Sequence, residues 1–493
     1  MSTPAAESPA PPAKPTVLIE PHTRQRPRNV DLLNDWQYIE HSVLRLLAAW
    51  GRDIAGWEDK SGLHRHIWDQ AECIRRLRER VGQFPGGRPD SPVSPRLEQL
   101  VNTALLAPTL DDALDAIYEL LLKTLVGAYG EYMASVHPVH DAPTIALLHE
   151  INLIKSQQWL WYRDYRRRHP HTADEAFRAR ITAQLAACGH FRTALPVSPG
   201  TAAQPAGVAT DFRLSRFSAR NVPIRPKQPF MDYVRADFAT SLEARRLFWA
   251  IGYMMEKNLP DDQLAWLYHG HYMPWAWQHD VARHLWDESR HGDSGYSRLR
   301  DFGVSLEEVG FPGYDQGARE TELKALAEKN GLTLDVAFAR QRELLAPFKA
   351  EPLTRALVYE NVFMIGLVAE TGYFVVKNEG YVDFKEGQDL ESAEMMLFDI
   401  IDETAHVQYA HKWLPLLAEF AGVDNTGYRE RGVKLREDYQ AAANQNVAEL
   451  LRTLPRTPGH PPFDFYQNLL ARIRTACPLA NAATCPPRSP KPM

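Results

Sequence analysis

The chain has 493 residues, 44% of them hydrophobic, and a formal charge of −6. That is too long for one ordinary core, so two domains with tails are expected, and the mild acidic balance excludes a sequence-wide attraction to nucleic acid or anionic lipid. No apolar run approaches the roughly 20 residues a membrane-spanning helix needs, and Cys73, Cys188, Cys477 and Cys485 show neither metal-ligand pairing nor a secreted disulfide pattern, so a cytoplasmic location is expected.

Residues 1–30, starting MSTPAAESPAPPAKP, have no basic start followed by an apolar stretch and read as a Pro/Ala-rich tail, not a signal peptide. From 31 to 187 apolar residues recur at three and four, predicting a helical domain with long helices near 31–50, 61–82, 111–135 and 142–168. The run YRDYRRRH (162–169) closes the last of these before Pro170, where positive charge suits the helix dipole, so a solvated helix end is expected over a binding patch. Pro, Ala and Gly in RTALPVSPGTAAQPAG (Arg192–Gly207) mark a linker within 188–231.

A second helical domain spans 232–453, with helices near 236–270, 274–298, 353–379 and 389–421. The connection between its second and third helices exceeds 50 residues and holds a smaller helix near 318–328. Two helical hairpins joined by one long crossover make a four-helix bundle. Residues 454–493 read as a C-terminal extension ending in a loose tail.

Residues three apart on a helix share a face, so a Glu and the His three further on can bind one inward-facing ion. Glu288 with His291 and Glu403 with His406 are the only Glu-x-x-His pairs in the chain. Glu256 precedes Glu288 by 32 residues and Glu370 precedes Glu403 by 33. In an antiparallel hairpin, residues equally far from the turn lie at equal depth. The midpoints fall at HGHYMP, with Pro274 opening the next helix, and at FKEGQD, both plausible turns.

Four carboxylates and two imidazoles therefore converge at mid-bundle. Their charge of −4 would balance two divalent cations and would be costly to bury without them. An Asp precedes each motif, giving DESRH at 287–291 and DETAH at 402–406. A carboxylate there can hold the second ring N–H of a ligating His.

With these motifs the sequence resembles the ferritin-like di-iron carboxylate superfamily, whose oxygen-activating members carry a doubled Asp-Glu-x-x-His. The resemblance covers roughly residues 236–421 and is specific to the superfamily, not to one enzyme. It implies an all-α protein whose second domain is a ferritin-like four-helix bundle. It makes Glu256, Glu288, His291, Glu370, Glu403 and His406 the ligands of two iron ions, with Asp287 and Asp402 steadying the imidazoles. Manganese could replace an iron. The implied activity is that of an oxidoreductase using O2 to hydroxylate, desaturate or N-oxygenate a small molecule, served by an electron-donor protein. A homodimer is compatible with it, and nucleic acid and membrane are not expected partners. The alternative is a ferroxidase-like or structural metal-binding helical protein without a small-molecule substrate.

Two departures matter. Pro260, four residues after Glu256, removes a helix hydrogen bond and kinks the helix near the site, which leaves Glu243 as an alternative ligand. His284, four residues before Glu288, shares its face. Some di-iron N-oxygenases use a comparable extra His, so His284 is either a seventh ligand or a satisfied core imidazole.

The first domain repeats a piece of the second: RHIWDQAEC (65–73) lines up with RHLWDESRH (283–291), pairing Trp68 with Trp286 and Asp69 with Asp287. Gln70 then stands for Glu288, Cys73 for His291 and Tyr38 for Glu256, substitutions that abolish the metal site. The stretch ALLHEINLIKSQQW (146–159) contains no Glu-x-x-His. Two ferritin-like bundles in tandem are thus expected, the first having lost its metal chemistry or serving as a platform for a substrate or partner. Glu40 and Glu72 also stand 32 apart, but Arg75 takes the place of the required His, which argues against a second site. Aromatic residues around the motifs, Tyr253, Trp277 and Tyr373 among them, are assigned to core packing.

Overall fold

The structure is a computed structural model that describes residues 26–197, 210–212, 214–215, 218–225, 228–311 and 352–477. The N-terminal tail to residue 25, residues 198–209 of the expected linker, the helix expected near 318–328 and the chain beyond 477 lie outside the described residues. Every regular element described is helical, apart from one isolated bridge between Ile224 and Phe311. No described helix is long and apolar enough to cross a membrane.

The N-terminal half contains α1 (Arg26–Trp50), α2 (Trp57–Gly82), α3 (Pro95–Leu105), α4 (Leu110–Asp115), a π-helical segment (Ala116–Leu122), α5 (Lys123–Ser135), α6 (Ala142–Arg168) and α7 (Glu175–Ala187). The four expected long helices are all present. Side-chain caps start two of the elements: Thr109 accepts from the Asp112 amide at 3.1 Å, and Asp174 from that of Phe177 at 2.9 Å. The basic end of α6 is paired internally, Arg166 with Asp111 at 3.0 Å and Arg168 with Asp59 at 2.6 Å.

The C-terminal half contains α8 (Phe230–Asp237), α9 (Leu242–Glu256), α10 (Leu259–His269), α11 (Trp275–Asp301), α12 (Leu306–Val309), α13 (Pro352–Phe363), a second π-helical segment (Met364–Ala369), α14 (Glu370–Glu386), α15 (Leu390–Ala421), α16 (Tyr428–Thr453) and α17 (Pro461–Ala476). The single helix expected over 236–270 is three. Ser241 caps α9, and Pro260 lies in the first turn of α10, where its missing N–H costs nothing, so the chain breaks just after Glu256. The two hairpin turns fall where the midpoints placed them, at 270–274 and 387–389. The expected extension contains a helix that the sequence reading did not place: α17 buries Tyr466, Leu469, Leu470 and Ile473 in a core shared with α8 and α9. Their helical spacing was readable, but short isolated helices follow tertiary packing more than propensity.

One apolar core runs from α1, α2 and α4–α7 into α10, α11, α13 and α15. Helix α11 lies at the junction, packed against α2 as well as α9, α10 and α15. Close approach needs glycine here. A Cβ at Gly295 would collide with the α9 backbone at Met254 and Ala250.

At the centre of the N-terminal half, Glu40 (α1), Gln70 (α2), Tyr129 (α5) and Lys155 (α6) meet. Lys155 Nζ donates to Glu40 Oε2 at 2.7 Å and to Gln70, and Tyr129 donates to Glu40 Oε1 at 2.8 Å. Glu40, not Tyr38, is the residue facing Gln70, which corrects the offset taken from the repeat. An ammonium thus fills the position between these side chains. Glu72 points elsewhere, to Arg75 at 2.9 Å and to His279 of α11 at 2.8 Å, so Glu40 and Glu72 form no site together.

Two outcomes follow. Lys155→Ala strands the fully buried Glu40 carboxylate and should cost about 3–5 kcal/mol in denaturant unfolding, much of it regained in Lys155→Met/Glu40→Gln. The Glu72–His279 pair joins the two halves. Its hydrogen bond to His279 is the main cause that lowers the Glu72 carboxyl to about 2, and hydrogen bonds to Asp280 and Glu72, with their charges, outweigh burial and raise His279. Glu72's contribution is complete above its unfolded pKa, while that of His279 is present below the ordinary imidazole pKa and lost as pH rises through its raised value. The melting-temperature gap between wild type and Glu72→Gln should therefore be larger at pH 5.5 than at pH 9.

Candidate metal centre

The residues foreseen from spacing come from four helix segments: Glu256 ends α9, Glu288 and His291 lie mid-α11, Glu370 opens α14, and Glu403 and His406 lie mid-α15. Glu256 is fixed by its neighbour. The buried Lys257 donates to Ser289 Oγ at 2.8 Å and Asp293 at 2.9 Å, tying the end of α9 across α11. Glu243, the alternative to Glu256, starts α9 and pairs with Arg474 at 3.0 Å, far along the helix from the site. Gly366 lets the π segment approach α15, since a Cβ there would strike Ala410. π turns inside α-helices are frequent at functional sites.

The side chains gather into two groups whose donor atoms lie within 4.8 Å of one another: His284, Glu288, Glu370 and His406, and Glu256, His291, Asp399 and Glu403. Either group could hold a metal ion. His284 therefore joins the site. Its Nε2 lies 3.1 Å from both Glu288 Oε1 and Glu370 Oε1, and its ring stacks on His406 with centroids 3.7 Å apart. Glu288 faces both groups, with Oε1 3.4 Å from His406 Nδ1 and Oε2 3.7 Å from His291 Nδ1.

The test of fit is which buried atoms lack a hydrogen bond. Glu256 Oε2, Glu288 Oε2, His291 Nδ1, both oxygens of Glu370, Glu403 Oε2 and His406 Nδ1 are all buried and make no well-aligned hydrogen bond, although His291 Nδ1 lies 3.1 Å from Glu256 Oε2 and His284 Nε2 3.1 Å from Glu370 Oε1. Leaving a buried carboxylate or imidazole atom bare is expensive. All six residues expected as ligands are in this set, and their bare atoms point at one another, as a cation between them would require.

The other ring nitrogens are held crosswise. His291 Nε2 donates to Asp402 at 3.3 Å and His406 Nε2 to Asp287 at 3.4 Å, so each Asp steadies the imidazole of the opposite motif. This leaves each Nδ1 free for an ion. Arg290 bridges the two, donating to Asp402 at 2.7 Å and to Asp287, and Arg283 donates to Asp287 at 2.8 Å. Burial would push the Asp287 carboxyl up, but His406 and Arg283 outweigh it and hold it well below the usual range.

Three features escaped the sequence reading. Asp399 stands four residues before Glu403, as His284 stands four before Glu288, a symmetry visible in the sequence. Lys377 lies two turns after Glu370 on the same face, with Nζ 3.0 Å from Glu403 and 2.7 Å from Asp399. Tyr253 donates to Asp399 at 2.9 Å, so it is more than core filling. Arg283 and Arg290 offset Asp287 and Asp402, while Lys377 is shared between Asp399 and Glu403 and cancels one charge of the five carboxylates Asp399, Glu256, Glu288, Glu370 and Glu403. A net charge of −4 remains, matching two divalent cations. Burial drives the Glu256 carboxyl up to about 8, while carboxylates overcome burial to keep His291 and His406 well above the ordinary imidazole value.

A cavity of about 20 Å³ touches His284 and His406 and is walled by Trp266, Trp277, Val281 and Trp413. A larger one of about 440 Å³ lies against Val368, Ala369, Gly372 and Tyr373, beside Glu370, and extends to Arg436 and Tyr439 of α16. Comparison of the chain with protein-family models, curated proteins and solved structures finds no match in any of the three.

Replacing either crosswise acid should loosen the ligand it steadies. Asp287→Asn and Asp402→Asn should each weaken divalent-metal binding by roughly 10- to 100-fold, read by competition with a chelator, while the thermal transition stays cooperative.

Proposed function

We propose that this chain is a di-iron, O2-using oxidoreductase acting on a small molecule, its C-terminal half a ferritin-like bundle and its N-terminal half a second bundle in which Lys155 stands in place of metal. The observation that carries the reading is the convergence of all six sequence-inferred ligands with their bare buried atoms facing inward. In the metal-bound protein, Glu256, Glu288, Glu370, Glu403, His291 and His406 would hold the ions, with His284 a further nitrogen donor. Two such iron ions, when bound, supply two-electron reduction of O2.

The chain's own residues provide the surroundings. Asp287 and Asp402 keep the imidazoles in the tautomer that presents Nδ1. The tryptophan-walled cavity beside His284 and His406 has room for about one water-sized molecule and suits an apolar diatomic such as O2. The larger cavity beside Glu370 has the size and mixed apolar and polar lining of a small-molecule site. Each turnover needs two further electrons, so an electron-donor protein or small reductant is required.

The test is anaerobic loading of the full chain with Fe(II), followed by O2 with and without a chemical reductant. The proposal expects a transient visible absorption band, about one O2 consumed per two irons without reductant, and repeated consumption with it; Glu288→Gln should abolish both. Uptake that never exceeds the stoichiometry of the added iron, whatever reductant is supplied, would favour iron handling over substrate oxidation.

A further inference from the structure

The two metal positions differ in a way the paired motifs conceal. One draws on two imidazoles, His284 and His406, with Glu288 and Glu370; the other has a single imidazole, His291, among Glu256, Glu403 and Asp399. Among the described residues, only the second has an ammonium beside it. Lys377 is 2% exposed, and its Nζ lies within 3.0 Å of both Asp399 and Glu403.

Asp399 is engaged on both oxygens by what surrounds it. Lys377 engages both of its oxygens, and Tyr253 donates to Oδ2. Glu256, His291 and Glu403 each keep a bare buried atom, whereas Asp399 has none; His284 has none either, but its Nε2 faces the carboxylates of its own position, while the partner of Asp399 is a cation. A buried ammonium fixed at this distance neutralises donor charge that an incoming cation would use, and it repels that cation in a medium where screening is weak. The position with His284 has no such competitor and has the nitrogen donors that iron, cobalt and zinc prefer. The N-terminal half shows the same device carried further, with Lys155 seated between Glu40 and Gln70.

We propose that Lys377 makes the two metal positions unequal: the His284, Glu288, Glu370, His406 position fills first and tightly, and the Glu256, His291, Glu403 position fills second and more weakly, with Asp399 held by Lys377 and Tyr253 as a positioning residue and not a ligand. The inference rests on the di-metal reading above. It makes the fraction of chains carrying both ions depend on free metal concentration, so a chain poor in metal holds one ion and cannot deliver electrons in pairs.

Anaerobic calorimetric titration of the full chain with Co(II), with the visible ligand-field bands followed in parallel, tests it. Wild type should bind in two phases of one ion each, with dissociation constants about tenfold or more apart. Lys377→Met should tighten the second phase about tenfold and leave the first in place. Because that change strips Asp399 of its cation, its fold is checked by circular dichroism. Two further variants do not depend on it: His284→Ala should weaken only the first phase, and Glu256→Gln only the second. Two ions binding with equal affinity, Lys377→Met weakening the second phase, or Glu256→Gln weakening the first would each overturn the assignment. No binding by the wild type at all would instead overturn the metal-centre reading beneath it.

Discussion

Four glutamates converging in a helical interior cannot stay ionised there without positive charge close by, because desolvating a carboxylate costs several kcal/mol that only a cation returns. Much of the C-terminal half is arranged around that constraint. Arg283 and Arg290 are spent on Asp287 and Asp402, and Lys377 on Asp399. Among the described residues, Lys377, which also reaches Glu403, is the one Lys or Arg paired with any of Glu256, Glu288, Glu370 and Glu403. Gly295 and Gly366 bring α9 onto α11 and the π segment onto α15, so the four meet at one depth.

The crosswise hold of Asp287 on His406 and Asp402 on His291 makes α11 and α15 interdependent. Neither motif is complete alone, since each imidazole is aimed by an acid from the other helix. Arg290, reaching both acids, fixes the spacing between the two helices at the level of the site. The N-terminal half solves the same packing problem more simply. A lysine, a glutamine and a tyrosine satisfy Glu40, and among the described residues no bare carboxylate pair is left there for an ion.

What the sequence disclosed follows from what is periodic in it. The Glu-x-x-His spacing and the matched distances to Glu256 and Glu370 located six converging side chains, because helix geometry converts separation into position. Pro260 foretold a kink after Glu256, where the chain instead breaks between α9 and α10, and the further break between α8 and α9 was not foreseen. Lys377, Asp399 and Tyr253 stayed hidden as a group because their meeting depends on how α9, α14 and α15 dock, and a lone Lys or Asp on a helix is usually solvated. The repeat exposed Gln70 but misplaced its partner by two residues, since Glu40 and Tyr38 sit on one helix and only packing tells them apart. Helix α17 was read as extension because nothing local separates a short amphipathic helix that docks from one that does not.

The charge argument is tested most directly by the metal content of the full chain purified from iron-replete cells and measured by elemental analysis beside Glu288→Gln. The account predicts close to two ions per wild-type chain, matching the net carboxylate charge left after Lys377, and loss of both in the variant, since Glu288 faces both positions. Fewer than one ion per wild-type chain, or two ions retained in Glu288→Gln, would contradict it.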